Sequence, residues 1–152
     1  MANVLVLFHS QECGNTAAMA EAVADGARAA GAKVTLFNTN EGRMDVEAYR
    51  AADAVAFGTP DYYSYLAGGL KMFLDDWHIA KQADETRLTG KPFGLFYSHG
   101  GGGAVRQVME KLFGTGIGTK VGKTVESKGK PTAAVVAACK ELGEDIAQAV
   151  GM

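Results

Sequence analysis

A short polar segment between a predicted strand and a predicted helix has the residue types of an anion-binding loop. It separates an apolar run at residues 4–8 from an alanine-rich stretch and contains Ser10, Gln11, Glu12, Cys13, Gly14, Asn15 and Thr16. Hydroxyl groups at both ends and an internal glycine allow backbone N–H groups to turn inward, and the dipole of the following helix adds positive potential there. Because the segment contains no Lys or Arg, we expect amides and hydroxyls to hold a phosphate.

Two further segments have unusual composition, and each follows a predicted strand. The second segment contains Pro60, Asp61, Tyr62 and Tyr63, and the third contains Ser98, His99, Gly100, Gly101, Gly102 and Gly103. We expect one of the two tyrosines to stack on a flat ring. The four glycines have no side chains, which would let backbone amides approach the edge of that ring.

Each of these features also has a simpler interpretation. The hydroxyl and amide side chains before the helix can act as N-caps, the tyrosines can form a protein-contact surface, and the glycine run can be a flexible connector. His99 is the one imidazole in the three segments, since His9 and His78 lie outside them, and it can be a hydrogen-bonding residue or an acid–base group. Cys13 can be a small filler residue or a reactive thiol.

The rest of the chain alternates between strand and helix patterns. The sequence predicts strands at residues 4–8, 34–37, 54–57, 93–97 and 121–125, and helices at 17–30, 46–51, 66–77, 105–112 and 135–150. This alternation predicts an α/β fold, a three-layer sandwich around a five-stranded parallel sheet of order 2-1-3-4-5. In that order strands one, three and four are neighbours, so the three segments meet at one edge of the sheet. Together they describe a pocket for a flat ring with a phosphate tail, which suits FMN.

Composition narrows the function classes. The 152 residues predict a single domain, 1–152, and a net charge of −2 gives no basic surface for nucleic acid. No apolar run approaches the roughly 18 residues that a membrane span requires. Two cysteines, Cys13 and Cys139, form no disulfide framework, and no signal peptide is visible. We therefore expect a cytoplasmic protein.

With these segments in place, the chain resembles the flavodoxin-like family over nearly its whole length. The pattern Ser-x-x-x-Gly-Asn-Thr is similar to the family's phosphate loop, although it is one residue longer than the common form. Residues 58–63 and 66–75 are similar to type IV NAD(P)H:quinone oxidoreductases, in which an aromatic residue at the position of Tyr63 borders the flavin. Residues 90–92 and the glycine run match the same relatives, and residues 129–132 are similar to flavodoxin-like domains generally. The resemblance implies FMN as cofactor.

The resemblance leaves three functions open. The short length favours a flavodoxin-like carrier that passes electrons through FMN to a redox partner protein. The all-glycine third segment would leave one flavin face open, and the low net charge supplies little steering field, which favours an NAD(P)H-dependent quinone reductase. The third candidate is a cofactor-free interaction domain. We predict an FMN-binding redox protein, with electron transfer as the first description, no catalytic side chain, and a surface compatible with a homo-oligomer.

Overall fold

The polypeptide folds into a parallel β-sheet with helices on both of its faces. The computed structural model describes residues 1–151. The strands are β1 (Asn3–Phe8), β2 (Lys33–Asn38), β3 (Ala54–Pro60), β4 (Lys91–His99), β5 (Gly118–Lys120) and β6 (Val125–Lys128), and the helices are α1 (Asn15–Ala29), α2 (Val46–Ala51), α3 (Gly68–Ala83), α4 (Val105–Gly114) and α5 (Ala133–Ala149). The strand order is β2-β1-β3-β4-β5, with β6 also paired to β4. The predicted α/β class and strand order are confirmed.

Burial on both faces explains why the central strands read as continuous apolar runs. Val4 and Val6 of β1 pack into a core cluster with α1 and α5. Leu5 and Leu7, which point to the other face, pack into a second cluster with residues of α2, α3 and α4. A parallel strand covered by helices on both sides is buried on both faces, so apolar and polar residues do not alternate along it.

The strand predicted for the fifth position of the sheet differs from the observed structure. A single strand at residues 121–125 was expected, whereas β5 and β6 both pair in parallel with β4 and residues 121–124 interrupt them. Lys120 lies opposite Phe93 and Val125 lies opposite Phe96, so four residues on one side face two on the other. Gly122 lies among the additional residues and has a left-handed φ of 68°.

Strand register brings the ends of three strands to one edge. Phe8 at the end of β1 pairs with Gly58 of β3, and Pro60 at the end of β3 pairs with Ser98 of β4. The segments that follow these strands therefore start beside one another, as the predicted topology required. Within residues 1–151, no helix has both the length and the apolar composition needed to span a bilayer.

Candidate flavin site

The loop between β1 and α1, residues 9–14, presents a run of backbone donors that the protein itself leaves unused. Gly14 is the N-cap of α1 and has a left-handed φ of 73°, which turns the chain into the helix. In the described residues, the six consecutive N–H groups from Gln11 to Thr16 donate to no protein acceptor. The loop lies at a helix N-terminus, where such donors and the helix dipole favour an anion.

Buried hydroxyl groups fix the two ends of this loop. The N–H of Ala17 donates to Ser10 Oγ at 3.1 Å, and Thr16 Oγ1 lies 2.8 Å from Ser98 Oγ. Thr16 and Ser98 are both buried. The N-cap interpretation of Asn15 and Thr16 is wrong, because Gly14 occupies the cap and the Thr16 hydroxyl bonds across to β4 instead.

Asn38, at the end of β2, holds the first loop from the opposite side and was not among the predicted residues. Its Oδ1 accepts from the N–H of Ser10 at 3.0 Å, and its Nδ2 donates to the Ser10 carbonyl at 3.0 Å. The same strand-order argument that found the other segments would have found Asn38, because β2 neighbours β1 and ends at the same edge.

His9 also supports the site, although the sequence placed it outside the three segments. Its Nδ1 lies 2.8 Å from Thr39 Oγ1, and its Nε2 lies 2.9 Å from Gln11 Oε1. Its ring meets that of Tyr62 edge-on at 6.1 Å. His9 thus connects the first loop to the second.

The second loop contains a tight turn in an uncommon conformation. Tyr62 and Tyr65 exchange two backbone hydrogen bonds of 3.2 and 3.1 Å. The residues between them, Tyr63 and Ser64, have φ values of 57° and 62°. Positive φ at both central positions is the type I′ pattern, which normally selects Asn and Gly.

The two candidate stacking residues, Tyr62 and Tyr63, lie in different environments at this turn. Tyr62 lines the cleft between the loops, whereas Tyr63 is fully exposed and does not. Burial raises the pKa of Tyr62, and the nearby Glu12 and Cys13 raise that pKa further. Tyr62 thus lines the same cleft as Glu12 and Cys13 of the first loop.

The loop after β4 closes the third side. Gly100 lines the cleft, and Gly101, Gly102 and Gly103 do not. Asp61 ties the second loop to this side, because its N–H donates to the Ser98 carbonyl at 2.8 Å and its Oδ2 accepts from the N–H of Val105 at 3.2 Å.

Most of the predicted site residues therefore come together. The cleft is lined by Ser10, Gln11, Glu12, Cys13, Gly14, Asn15, Thr16, Pro60, Asp61, Tyr62, Ser98, His99, Gly100 and Gly129. Gly129 was not predicted as a site residue, because it follows β6 and reaches the cleft only through that strand's pairing with β4. Amides, hydroxyls and one aromatic ring fit a flavin with a phosphate tail, and the run of free N–H groups fits the phosphate.

Comparison with known proteins agrees with this geometry. The family model described as flavodoxin matches residues 6–143. A flavodoxin structure from the domain Archaea superposes with a TM-score of 0.81 at 25% identity, covering 99% of both chains. The two-electron reduced flavodoxin of Megasphaera elsdenii superposes with a TM-score of 0.77 at 29% identity, covering 95% of this chain and 99% of the other.

Sequence comparison adds longer relatives. An Archaeoglobus fulgidus protein described as NAD(P)H dehydrogenase (quinone) is 34% identical over 66% of this chain, and a Paracoccus denitrificans protein of the same description is 35% identical over 66%. The matches span 65% and 55% of those relatives' own lengths. From the fold, the site and the family match together, the chain belongs to the flavodoxin family.

Proposed function

We propose that the chain binds FMN and transfers electrons through it. The observation that carries this proposal is the run of six free N–H groups from Gln11 to Thr16 around the start of α1. A terminal phosphate ester presents three oxygens to such a loop, whereas riboflavin has no phosphate. When bound, the flavin supplies the redox chemistry, and the chain supplies binding, orientation and electrostatics.

The hydroxyls of Thr16 and Ser98 have a defined part in this proposal. They are buried and 2.8 Å apart, so each already has one partner, and each keeps a lone pair for a further donor or a proton for a further acceptor. A phosphate beside them would accept from a hydroxyl in a desolvated place, where such a bond is stronger than in water.

The test is a titration of flavin-free protein with FMN and with riboflavin. Thr16→Val removes the hydroxyl and should weaken FMN binding by about 1–3 kcal/mol, while riboflavin binding stays unchanged. Thr16→Ser keeps the hydroxyl and is the matched control. Equal loss for both ligands would place the effect in the fold and contradict the phosphate site.

Cysteine alkylation gives an independent measure of occupancy. Cys13 is exposed in the first loop, and Cys139 is buried, with burial raising the pKa of its thiol to about 12. FMN at 100 times its Kd should slow Cys13 alkylation about a hundredfold by mass action. Cys139 should stay unreactive with or without ligand, and an unprotected Cys13 would contradict binding at this loop.

A second candidate function is NAD(P)H-dependent quinone reduction. The favouring observation is that, in the described chain, Tyr62 is the one Phe, Tyr or Trp residue lining the cleft, and the loop after β4 contributes Gly100 to the lining and no such side chain. One ring face would then stay open to a nicotinamide or a quinone. Rapid quinone turnover with NAD(P)H would support the reductase, whereas accumulation of one-electron-reduced flavin without such turnover would support the carrier.

A further inference from the structure

Three ionisable side chains form a cluster beside the cleft, and phosphate binding does not use them. His99 ends β4, and its Nε2 lies 2.9 Å from Glu126 Oε2 on β6. The Tyr97 hydroxyl donates to the same carboxylate oxygen at 2.8 Å, and its ring stacks on that of His99. The backbone at Gly103 passes so close that a Cβ there would lie 3.1 Å from Glu126 Oε2.

The second ring nitrogen of His99 has no partner. The His99 side chain is only 7% exposed, and within residues 1–151 its Nδ1 is buried without a hydrogen bond. Because Nε2 faces a carboxylate, the neutral ring donates its single proton there, and Nδ1 is left with a bare lone pair. A buried polar atom without a hydrogen-bond partner destabilises the fold and is rare, so the unpaired Nδ1 of His99 needs an explanation.

The two neighbours of His99 in the cluster keep fixed charge states near neutral pH. The Tyr97 hydrogen bond and His99 lower the pKa of Glu126, so that carboxylate stays ionised. Burial and Glu126 raise the pKa of Tyr97 to about 12, so the phenol stays protonated. Arg106 on α4 also lowers the pKa of Glu126. Lys128 pairs with His99 across β4 and β6, and Asp61 in the neighbouring loop accepts from the N–H of Val105. Imidazole is the one group of the three that ordinarily titrates near neutrality.

We propose that His99 is a charge-balancing residue, which takes up a proton at Nδ1 when the bound flavin is reduced. This inference rests on the proposed FMN function. A pyridine nucleotide, or another two-electron donor, delivers two electrons and one proton to the flavin, which gains one negative charge. The proton at Nδ1 comes from water and offsets that charge through space, because His99 lines the cleft. On oxidation the two electrons go to the acceptor, the proton that the flavin gained goes with them or to water, and the Nδ1 proton returns to water.

The test is a 15N NMR titration of the imidazoles in FMN-loaded protein, oxidised and then reduced with dithionite, across roughly pH 5 to 8. We expect the titration midpoint of His99 to move upward on reduction. His99→Gln identifies the signal, and the exposed His78 on α3 serves as the internal control, with no shift. Glu126→Gln should lower the His99 midpoint in both redox states.

A second readout is the two-electron midpoint potential. His99→Gln should make it more negative, because the reduced flavin loses a balancing charge, and the matched His78→Gln should leave it unchanged. A His99 that keeps one charge state through reduction would overturn the inference while leaving FMN binding intact. A chain that binds no FMN would overturn the proposed function itself, so the two failures are distinguishable.

Discussion

Glycine is usually found where the backbone needs a positive φ, and the loops after β3 and β4 depart from this rule in opposite ways. In the loop after β3, Tyr63 and Ser64 both have positive φ, although neither is glycine. In the loop after β4, Gly100 to Gly102 do not have positive φ, and a Cβ at any of them would meet nothing within 4 Å. The loop after β3 has positive φ at two residues that are not glycine, whereas the loop after β4 has three glycines without positive φ ahead of Gly103, whose φ is 69°. Contacts within the described residues account for neither choice, and the variants that follow test the hypothesis that a ligand in the cleft does.

The largest expected gain in stability comes from relieving the strained turn. Tyr63→Asn combined with Ser64→Gly installs the preferred type I′ residues and should raise the free energy of unfolding by about 1–2 kcal/mol. Tyr63 is fully exposed, so no packing is lost. Urea unfolding measures the gain, and Ser64→Ala should show none. If the double variant also binds FMN more weakly, the strained turn is retained for the ligand; a variant less stable than wild type would contradict the strain argument.

The loop between β1 and α1 provides the case in which glycine is needed. Gly14 has a φ of 73°, so Gly14→Ala should lose about 1–2 kcal/mol of folding stability and also weaken FMN binding. Gly31→Ala is the matched control, because Gly31 has a φ of 94° just after α1 and lies outside the cleft. It should lose similar stability and keep its FMN affinity. Equal FMN affinities in the two variants would remove Gly14 from the site.

Gly100→Ala tests the glycine run at the glycine of that run which lines the cleft. An ordinary φ and open space for the new Cβ should raise stability by about 0.4–1 kcal/mol, through lower entropy of the unfolded chain. FMN binding should weaken, because the methyl group would keep the backbone away from the ring. Gly42→Ala, with open space and no positive φ, should give the same stability gain without a change in FMN affinity. Unchanged affinity in both variants would support the flexible-connector interpretation.

Sequence patterns predicted the elements and the edge at which the site forms, for a simple reason. Apolar periodicity reports burial, and the strand order then determines which strand ends are neighbours. Ser10, Thr16 and Ser98 came together on that argument alone. The residues at the ends of β2 and β6 were not included in that argument, so Asn38 and Gly129 were not predicted.

Other features depend on conformations that residue types do not encode. A Tyr-Ser pair carries no type I′ signature, so the sequence could not predict that Tyr63 would point to solvent and Tyr62 to the cleft. The interruption between β5 and β6 depends on two extra residues relative to β4, which appear only once the strands are paired. The pairing of His99 with Glu126 joins residues 27 positions apart and needs the same register.

The smallest expected effect comes from Glu12, which places a negative charge in the loop proposed to bind the phosphate. Glu12 lines the cleft and is exposed, so its carboxylate should repel a phosphate dianion through water. Glu12→Gln should therefore tighten FMN binding by a few tenths of a kcal/mol at low salt, and ionic strength near 1 M should remove most of the gain. Isothermal titration at both salt concentrations measures the difference. If Glu12→Gln instead weakens binding at both, the carboxylate accepts a hydrogen bond from the ligand. Glu12 would then be a ligand contact, and its charge would favour binding.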